Sequence, residues 1–408
     1  MNTALGPRPS ALGSDALARA FALFTPEEHD ALVTLRRDLH REPELSWKEE
    51  DTARRLEAAL RALGIEDVRR VAGTGLVARV RGTEAGAPVV ALRGDIDALP
   101  IHEETGFDFA SQRPGVMHAC GHDVHASWAV GAAALLRRSP ARGDVLVVLQ
   151  PAEELGEGAA AVIASGALDE ARAMFGAHVD RRFEVGRVVA DAGPLAASSD
   201  SLLIELQGRG GHGARPQETA DPVVGAAALV MALQTVVSRR VDPARPAVVT
   251  IGAINAGSAG NVIPERAELK GTLRATDAAT RERLREEVRH VAESVAAAHR
   301  LTAKVTLFGG TPPVVNPPEA AAWAQEAVRR SVGEAALAPF GITNMGAEDF
   351  SYYQEKMPAC FLRVGAREPG TQPIAAHTPR FYAAEESLFL GAAVLAECAR
   401  VASGALGR

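Results

Sequence analysis

A short stretch of the chain, Met117-His118-Ala119-Cys120-Gly121-His122-Asp123-Val124-His125, concentrates side chains that can bind metal ions. It holds one thiol, three imidazoles and a carboxylate within nine residues. Thiolate, imidazole and carboxylate ligands together suit zinc and other borderline divalent ions such as cobalt, nickel or manganese. Cys120 and His122 are one residue apart in a loop that enters a predicted helix, so both can point the same way. A lone Cys-x-His has little specificity, so the stretch predicts only part of a metal site.

Further side chains of this kind follow predicted strands at three other places. They are Asp95 and Asp97 after residues 89–92, Glu153 and Glu154 after residues 145–149, and His178 after residues 173–177. In open α/β sheets the ligand crevice lies beyond the carboxyl ends of the strands. We therefore expect these side chains to meet the Cys120 stretch at one edge of a sheet.

The adjacent acids Glu153 and Glu154 must point in different directions at the end of a strand. One of them can bind a metal ion while its neighbour accepts and donates a proton. This division of duties is the chemistry of hydrolysis by a metal-activated water, in which a bound divalent ion lowers the pKa of water from about 15.7 towards about 7.

Hydrophobic periodicity predicts how these residues are positioned. Helices are predicted at residues 27–41, 48–63, 123–138 and 157–166, and strands at 75–80, 88–92, 144–149 and 172–177. The alternation of strands and helices predicts an α/β fold with a mostly parallel sheet flanked by helices. Asp123 is expected to cap the third of these helices.

The pattern changes from about residue 198. Strand 202–207, helix 221–238, strands 247–255 and 267–273, helix 278–299 and strand 302–307 give the order βαββαβ. This order predicts an inserted α+β, ferredoxin-like domain. The expected domains are therefore a discontinuous one, residues 1–197 and 311–408, and an inserted one, residues 198–310.

Length, charge and cysteine usage narrow the class of protein. A chain of 408 residues is too long for one simple core, which favours two domains. The formal net charge of -7 and the lack of a Lys/Arg block predict no nucleic-acid partner and no membrane-surface patch. Three widely spaced cysteines favour a reducing compartment over a disulfide framework.

The apolar segments favour a cytoplasmic protein over a secreted or membrane-spanning one. The first twenty residues include Arg8, Asp15 and Arg19 and lack an uninterrupted apolar core, so no signal peptide is predicted. The uncharged run at residues 222–238 includes Gln234 and Thr235 and is closed by two arginines. We interpret it as a buried or subunit-contact helix.

A series of motifs resembles, in order along the chain, the metal-dependent amidohydrolases of the peptidase M20 family. The motifs are Arg36-Arg37-Asp38-Leu39-His40, Pro43-Glu44-Leu45-Ser46, Arg93-Gly94-Asp95-Ile96-Asp97-Ala98-Leu99-Pro100, His118-Ala119-Cys120-Gly121-His122-Asp123, Gln150-Pro151-Ala152-Glu153-Glu154, Gly176-Ala177-His178-Val179, Gly210-Gly211-His212-Gly213-Ala214, Gly260-Asn261-Val262-Ile263-Pro264, Gly346-Ala347-Glu348-Asp349-Phe350 and His377-Thr378-Pro379. The branch includes hippurate hydrolases, N-acyl-amino-acid amidohydrolases, indoleacetyl-amino-acid hydrolases and carboxypeptidases.

The resemblance implies a ligand set and a general base. The implied ligands, with Cys120 shared between two divalent ions (Zn, Mn, Co or Ni), are Cys120, His122, Glu154, His178 and His377. Glu153 is implied as general base and acid, and Asp97 as the residue that orients a ligand imidazole. Asp95 stands where related di-metal peptidases carry His, and a turn-capping role for both aspartates remains open.

The resemblance also implies roles for the inserted domain, which becomes a lid and dimerisation domain. His212, in a flexible glycine-rich turn, is implied as a donor to the tetrahedral oxyanion, and Asn261 and Arg274 as groups that receive the substrate's carboxylate and carbonyl. An exposed strand-end arginine is the alternative for Arg274. His118 and His125 are expected to support the ligands by hydrogen bonds. His29, His40, His102, His290 and His299 have no acidic partners at ligand spacing and are expected to be structural or solvated.

The function implied is hydrolysis of the amide bond of N-acylated amino acids by a homodimer or homotetramer. A carboxypeptidase or dipeptidase with the same site is one alternative. A catalytically silent metal-binding dimer is another, and Glu153 is the residue that argues against it, since metal binding does not require it. The family often continues its Gly213-Ala214 motif with any residue and then Pro-His, where this chain has Arg215-Pro216-Gln217, which leaves the preferred acyl group open.

Overall fold

The structure is a computed structural model that describes residues 15–342 and 345–407. Arg8, part of the argument on a signal peptide, lies outside the described residues. The chain divides into two compact units. The first comprises Met1–Gly193, Asn316–Gly341 and Tyr352–Arg408, and the second comprises Pro194–Val315 and Ile342–Ser351.

The amino-terminal part of the first unit alternates strands with helices. Its elements are α1 (Asp15–Ala22), α2 (Pro26–Arg41), α3 (Glu50–Ala62), β1 (Val68–Val71), β2 (Gly75–Val80), β3 (Val89–Asp95), α4 (His122–Arg138), β4 (Val145–Gln150), α5 (Gly158–Ala164), β5 (Ala171–Glu184) and β6 (Val188–Val189). Helix α2 begins with a complete capping box, in which Thr25 and Glu28 satisfy each other's backbone N–H groups.

The middle of the chain forms the second unit. Its elements are β7 (Gly193–Ala196), β8 (Asp200–Gln207), β9 (Gly211–His212), α6 (Pro222–Thr235), β10 (Ala247–Ala256), β11 (Val262–Ile263), β12 (Arg266–Ala275), α7 (Ala278–Ala298), β13 (Thr302–Phe308) and β14 (Val314–Asn316). The chain then continues through α8 (Pro318–Ser331), α9 (Ser351–Gln354), β15 (Ala359–Arg367) and α10 (Ser387–Leu406).

The first unit is built on a seven-stranded sheet with the order β1-β2-β4-β3-β5-β15-β6. The four central strands, β4, β3, β5 and β15, are parallel, and antiparallel pairs lie only towards the edges. Residues 145–149 of β4 and the first four residues of β3 are apolar, and both strands are almost wholly buried, as expected for parallel strands covered on both faces. The mainly parallel, helix-flanked sheet predicted from the sequence is confirmed.

The second unit has its own core and a four-stranded antiparallel sheet with the order β10-β12-β8-β13. Along the chain its main elements are β8, α6, β10, β12, α7 and β13, which is the predicted βαββαβ order. Helix α6 starts at the cap Asp221, whose carboxylate accepts N–H bonds from Val223 and Val224. A π-helical turn, Val236–Arg240, continues it.

Two described helices, Pro222–Arg240 and Ser387–Leu406, are long and apolar enough to cross a membrane if only length and composition are considered. In Ser387–Leu406, 72% of the most apolar 18-residue stretch is buried in the fold, whereas in Pro222–Arg240 the buried share is 33%. Core helices of folded domains pass the same test, so the finding carries little weight.

Candidate metal centre

Two groups of ligand atoms that share Cys120 lie at the carboxyl end of the parallel sheet in the first unit. One consists of Cys120, His122 and His178, and the other of Cys120, Glu154 and His377. Within each group the ligand atoms lie within 4.8 Å of one another. The five residues implied as ligands are therefore brought together, from four separate parts of the chain, in an arrangement that suits two ions with a common thiolate.

Unsatisfied polar atoms at the centre show that the residues fit a metal ion. His122 Nε2 and Glu154 Oε1 are both buried without a hydrogen-bond partner among the described residues. The two atoms are 3.8 Å apart. Cys120 Sγ lies 3.2 Å from His178 Nε2, and His377 Nε2 lies 3.5 Å from Glu154 Oε2. Because an orphaned buried polar atom is costly, this donor set fits a bound cation.

The turn into α4 brings Cys120 and His122 to the same side. Gly121 between them has φ 95°, and a Cβ there would lie 2.5 Å from Val179 Cγ2. Only glycine accepts both this left-handed conformation and the close approach of β5. Gly121 is the N-cap of α4, so the prediction that Asp123 caps this helix is wrong.

Asp123 instead fastens α4 to α2. Its Oδ2 is 2.9 Å from Arg36 Nε and 2.8 Å from His40 Nδ1, with all three side chains buried. Burial by itself would raise the pKa of Asp123, but Arg36 and His40 lower it overall. His40 also lies 3.2 Å from Glu103, so two acids from distant parts of the chain hold it in a structural position, as expected.

Asp97 organises the opposite side of the centre. Its Oδ1 accepts the backbone N–H of Glu153 at 3.1 Å, and its Oδ2 accepts that of Glu154 at 3.0 Å. Ser46 Oγ donates to Oδ2 at 2.7 Å. His122 Nδ1 lies 3.2 Å from Oδ1, so a proton on Nδ1 leaves Nε2 free to bind metal. Asp97 thus fixes both acids and one imidazole, which is more than the turn-capping alternative required.

The turn that presents Glu153 and Glu154 is held by a buried acid that sequence reasoning missed. Ala152 has φ 50°, and its N–H donates to Glu49 Oε1 at 2.9 Å. Thr74 donates to the other oxygen of Glu49 at 2.6 Å. Burial raises the pKa of Glu49. Glu49 sits among the charged residues that open a surface helix, and its burial has no local sequence signal.

Glu153 and the remaining imidazoles complete the description. Glu153 Oε2 lies 3.7 Å from His122 Nε2, next to the ligands. His377 has φ 62°, and its N–H donates to Ala119 O at 2.8 Å, which ties the distant His377 loop to the Cys120 stretch. His118 is buried with no hydrogen-bond partner on either ring nitrogen among the described residues, so the expected bond to a ligand is wrong.

Burial and neighbouring charges shift the pKa values of three of these ligands. Burial, and next the Glu154 charge, raise the pKa of Cys120 to about 12. Burial by itself would lower the pKa of His122. The charge of Asp95 and the hydrogen bond to Asp97 outweigh burial and raise this pKa well above its usual value. Burial and the nearby His125 hold the pKa of His178 well below its usual value. Since a metal ligand must be a thiolate or a neutral imidazole, binding would release protons from Cys120 and His122.

The side chains predicted to contact substrate lie in the second unit. His212 is not in a flexible turn as expected, because β9 pairs with β11 and places His212 opposite Val262. Its Nδ1 accepts the N–H of Ala214 at 3.0 Å, which leaves the exposed Nε2 to carry the proton. Arg274 is half-buried in β12, with Nη1 3.4 Å from Met345 O, and Asn261 is exposed.

A partly buried cluster of thiol, imidazole and carboxylate ligands at the carboxyl end of a parallel sheet, with a further acid beside it, is the arrangement of a metal-dependent hydrolase. The comparison with known proteins assigns the family. The chain belongs to peptidase family M20/M25/M40, whose model matches residues 91–401.

Relatives with known names agree with this class. The chain is 40% identical to the N-acetylcysteine deacetylase of Bacillus subtilis (strain 168) over 91% of this chain and 96% of that protein. It is 38% identical to the IAA-amino acid hydrolase ILR1-like 2 of Arabidopsis thaliana, over 92% and 86% respectively. A Bacillus subtilis dinuclear metal-binding peptidase of the M20 family has a similar structure, with a TM-score of 0.83, 35% identity and coverage of 93% and 99%.

Proposed function

We propose that the protein hydrolyses the amide bond of N-acylated amino acids and releases a carboxylic acid and an amino acid. The observation that carries this proposal is the position of Glu153 beside a complete ligand set, 3.7 Å from His122 Nε2. Metal binding does not need this carboxylate, whereas proton transfer during hydrolysis does. The names of the deacetylase and the IAA-amino acid hydrolase support an N-acyl amino acid as the class of substrate.

Divalent ions held by Cys120, His122, Glu154, His178 and His377 would supply a water of lowered pKa. We propose two ions per subunit, drawn from Zn, Mn, Co and Ni, because the two ligand groups share Cys120. Glu153 accepts the proton of the attacking water and returns it to the leaving amine. Asp97 keeps the Glu153 backbone in place and holds the His122 ring by its Nδ1.

Three side chains of the second unit are proposed to contact substrate. His212 has the tautomer that suits a donor to a tetrahedral oxyanion, since its Nδ1 is already an acceptor for Ala214. Arg274 can bind a carboxylate through its planar fork, and Asn261 is proposed to receive the substrate's carbonyl. The substrate is therefore expected to need a free carboxylate next to the scissile amide.

A carboxypeptidase or dipeptidase is the second candidate, and the peptidase name of the structural neighbour favours it. A peptide bond is also an amide with a carboxylate on the amine side, so the same residues serve both reactions. A catalytically silent metal-binding dimer is the third candidate. The three differ in which compounds are hydrolysed.

The test is a hydrolysis screen on the purified protein with its metal content measured. We expect turnover of N-acetyl, N-benzoyl or indoleacetyl amino acids to exceed turnover of dipeptides. The matching N-acyl amino acid amides, which lack the carboxylate, should be poor substrates if Arg274 recognises that group. Faster hydrolysis of dipeptides would establish the peptidase, and a metal-loaded protein that hydrolyses none of these compounds would establish the silent form.

We also propose a homodimer, or a homotetramer that contains it, formed through the second unit. Helix α6 exposes Val223, Val224 and Met231, which is 72% exposed, and the neighbouring edge strand β10 exposes Ile254. Exposed apolar side chains on a helix and on the edge strand beside it are typical of a surface that another chain covers.

Sedimentation of the native protein and of Met231→Glu checks this proposal. We expect the native protein to sediment as an oligomer and the variant to shift towards monomer, because a buried unpaired charge opposes association. Phe308→Glu is the control, since Phe308 is equally apolar and 53% exposed but lies on β13 at the opposite edge of the same sheet. A monomeric native protein would contradict the proposal.

A further inference from the structure

Two buried residues that neither the ligand set nor the proton transfer uses, Asp95 and His125, lie beside His178. Both side chains are fully buried, and His125 Nδ1 is 2.7 Å from Asp95 Oδ1. Asp95 Oδ2 is bonded to Arg93. Arg93 and Asp95 lie on β3 and His125 lies on α4. The other ring nitrogen of His125 contacts β5, the strand that carries His178.

The contact of His125 with β5 is a hydrogen bond to the main chain of the strand. The Val179 N–H donates to His125 Nε2 at 2.9 Å. Strand β5 pairs with β3 as far as Gly176, opposite Arg93, and beyond Gly176 the described residues give it no strand neighbour on that side. His125 therefore provides the acceptor that β3 no longer provides, and a buried N–H is spared the cost of losing its partner.

This bond fixes the tautomer of His125. A nitrogen that accepts from a backbone N–H carries no proton, so the His125 proton sits on Nδ1 and is donated to Asp95. Both ring nitrogens of His125 and both oxygens of Asp95 are then occupied within the protein. Asp95, His122 and His125 lie close enough to hold an ion, but both nitrogens of His125 are already used and each Asp95 oxygen already accepts a hydrogen bond.

Val179 in turn sets the tautomer of His178. The Val179 carbonyl lies 2.7 Å from His178 Nδ1, which makes that nitrogen the donor. The unprotonated nitrogen is then Nε2, which faces Cys120 Sγ at 3.2 Å. Strand β3 and helix α4 pack closely at Gly94, where a Cβ would lie 2.5 Å from His125 O. Hydrogen bonds therefore link Asp95 through His125 and the Val179 main chain to His178 Nδ1, the ring nitrogen across from the ligand nitrogen Nε2.

We propose that Asp95 and His125 are positioning residues that hold the Val179 main chain so that His178 presents Nε2 to the metal centre. The inference rests on the proposed function only in taking His178 as a ligand. It also accounts for aspartate at position 95, because its carboxylate accepts the hydrogen bond that His125 Nδ1 donates.

The first test reads the tautomer directly in metal-free protein labelled with ¹⁵N-histidine. Ring ¹⁵N shifts distinguish a proton on Nδ1 from one on Nε2, and His178→Gln identifies the His178 signals by their loss. We expect His178 to carry its proton on Nδ1. A proton on Nε2 would overturn the proposal, even if the protein hydrolyses amides, and this result needs no variant of His125 that folds.

The second test uses two substitutions that each keep one half of the His125 contacts. His125→Gln places an amide oxygen near the Nε2 position, where it can accept from Val179. His125→Asn keeps a donor for Asp95 but leaves the Val179 N–H without an acceptor. We expect His125→Asn to weaken Co²⁺ binding about 10- to 100-fold, measured by the thiolate–cobalt absorbance, while His125→Gln retains most of it.

His29→Asn is the matched control, since His29 is also a buried histidine with one backbone partner, Phe21 O at 2.9 Å, and lies away from the ligands. Its Co²⁺ affinity should equal that of the native protein. Equal affinity and an unchanged His178 tautomer in a folded His125→Asn variant would overturn the proposal. If the native protein shows the expected tautomer and Co²⁺ binding but hydrolyses no amide, the proposed function fails and the positioning role stands.

Discussion

Glu153→Gln is expected to lower the catalytic constant by about 100- to 10,000-fold while leaving the metal content nearly unchanged. Glutamine has almost the same shape as glutamate but cannot accept a proton from water at neutral pH or return one to the leaving amine. The backbone N–H of residue 153 still donates to Asp97, so the turn keeps its position. The measurement is steady-state hydrolysis of the best substrate of the screen, with metal analysis of the same sample.

Two matched variants separate proton transfer from other losses. Glu154→Gln changes the neighbouring carboxylate, whose buried Oε1 has no hydrogen-bond partner within residues 15–342 and 345–407, and is expected to lose metal as well as activity. His212→Ala is expected to lose activity by about 100- to 1000-fold through the oxyanion while keeping metal. Unchanged turnover in a metal-loaded Glu153→Gln protein would remove Glu153 from the mechanism.

The sheet was predictable because strands buried on both faces carry a strong local signal. The apolar run at residues 88–92 and the one at 144–149 correspond to β3 and β4, whose side chains are almost wholly buried. The chain order of alternating elements then indicates a parallel sheet. Strand β5 was predicted too short, at residues 172–177, because the charged residues Asp180, Arg181 and Arg182 obscure its continuation to Glu184.

The metal ligands were predictable only in combination. Cys120 and His122 were identified from their neighbours in the chain, whereas His377 lies 255 residues after His122 and was identified through the family resemblance. In the structure its N–H is bonded to Ala119 O, a long-range contact with no local pattern. The geometry of the two ligand groups agrees with the predicted set, and their binding of metal remains a prediction.

The supporting residues could not be assigned because their partners come from distant elements. Asp123 has the sequence position of a helix cap, but Arg36 and His40 on α2 compete for its carboxylate, and Gly121 begins the helix instead. Glu49 shows the same limit, since its bond to the Ala152 N–H spans 103 residues. At such positions buried hydrogen bonds decide where the side chain lies, and not local propensity, because a buried polar group without a partner is costly.

Removal of divalent ions is expected to abolish hydrolysis and to lower the melting temperature together. His122 Nε2 and Glu154 Oε1 are buried and find no hydrogen-bond partner in the described part of the chain, so a cation would satisfy them. An ion that binds only the folded protein stabilises it by about 2.7 kcal/mol at 100 times its dissociation constant. Readdition of Zn, Mn, Co or Ni should restore both properties, with the melting temperature and the hydrolysis rate followed in the same titration.

The melting temperature and the hydrolysis rate together distinguish loss of metal binding from loss of proton transfer. Glu153→Gln should regain the melting temperature of the native protein on metal addition and still fail to hydrolyse substrate, because it keeps every ligand. Metal addition should change the melting temperature and the hydrolysis rate of Cys120→Ser only weakly, since Cys120 belongs to both ligand groups. Hydrolysis by a sample verified to be free of metal would end the metal hypothesis. Stabilisation without hydrolysis in the native protein would instead favour the catalytically silent form, for which Glu153 would have no purpose.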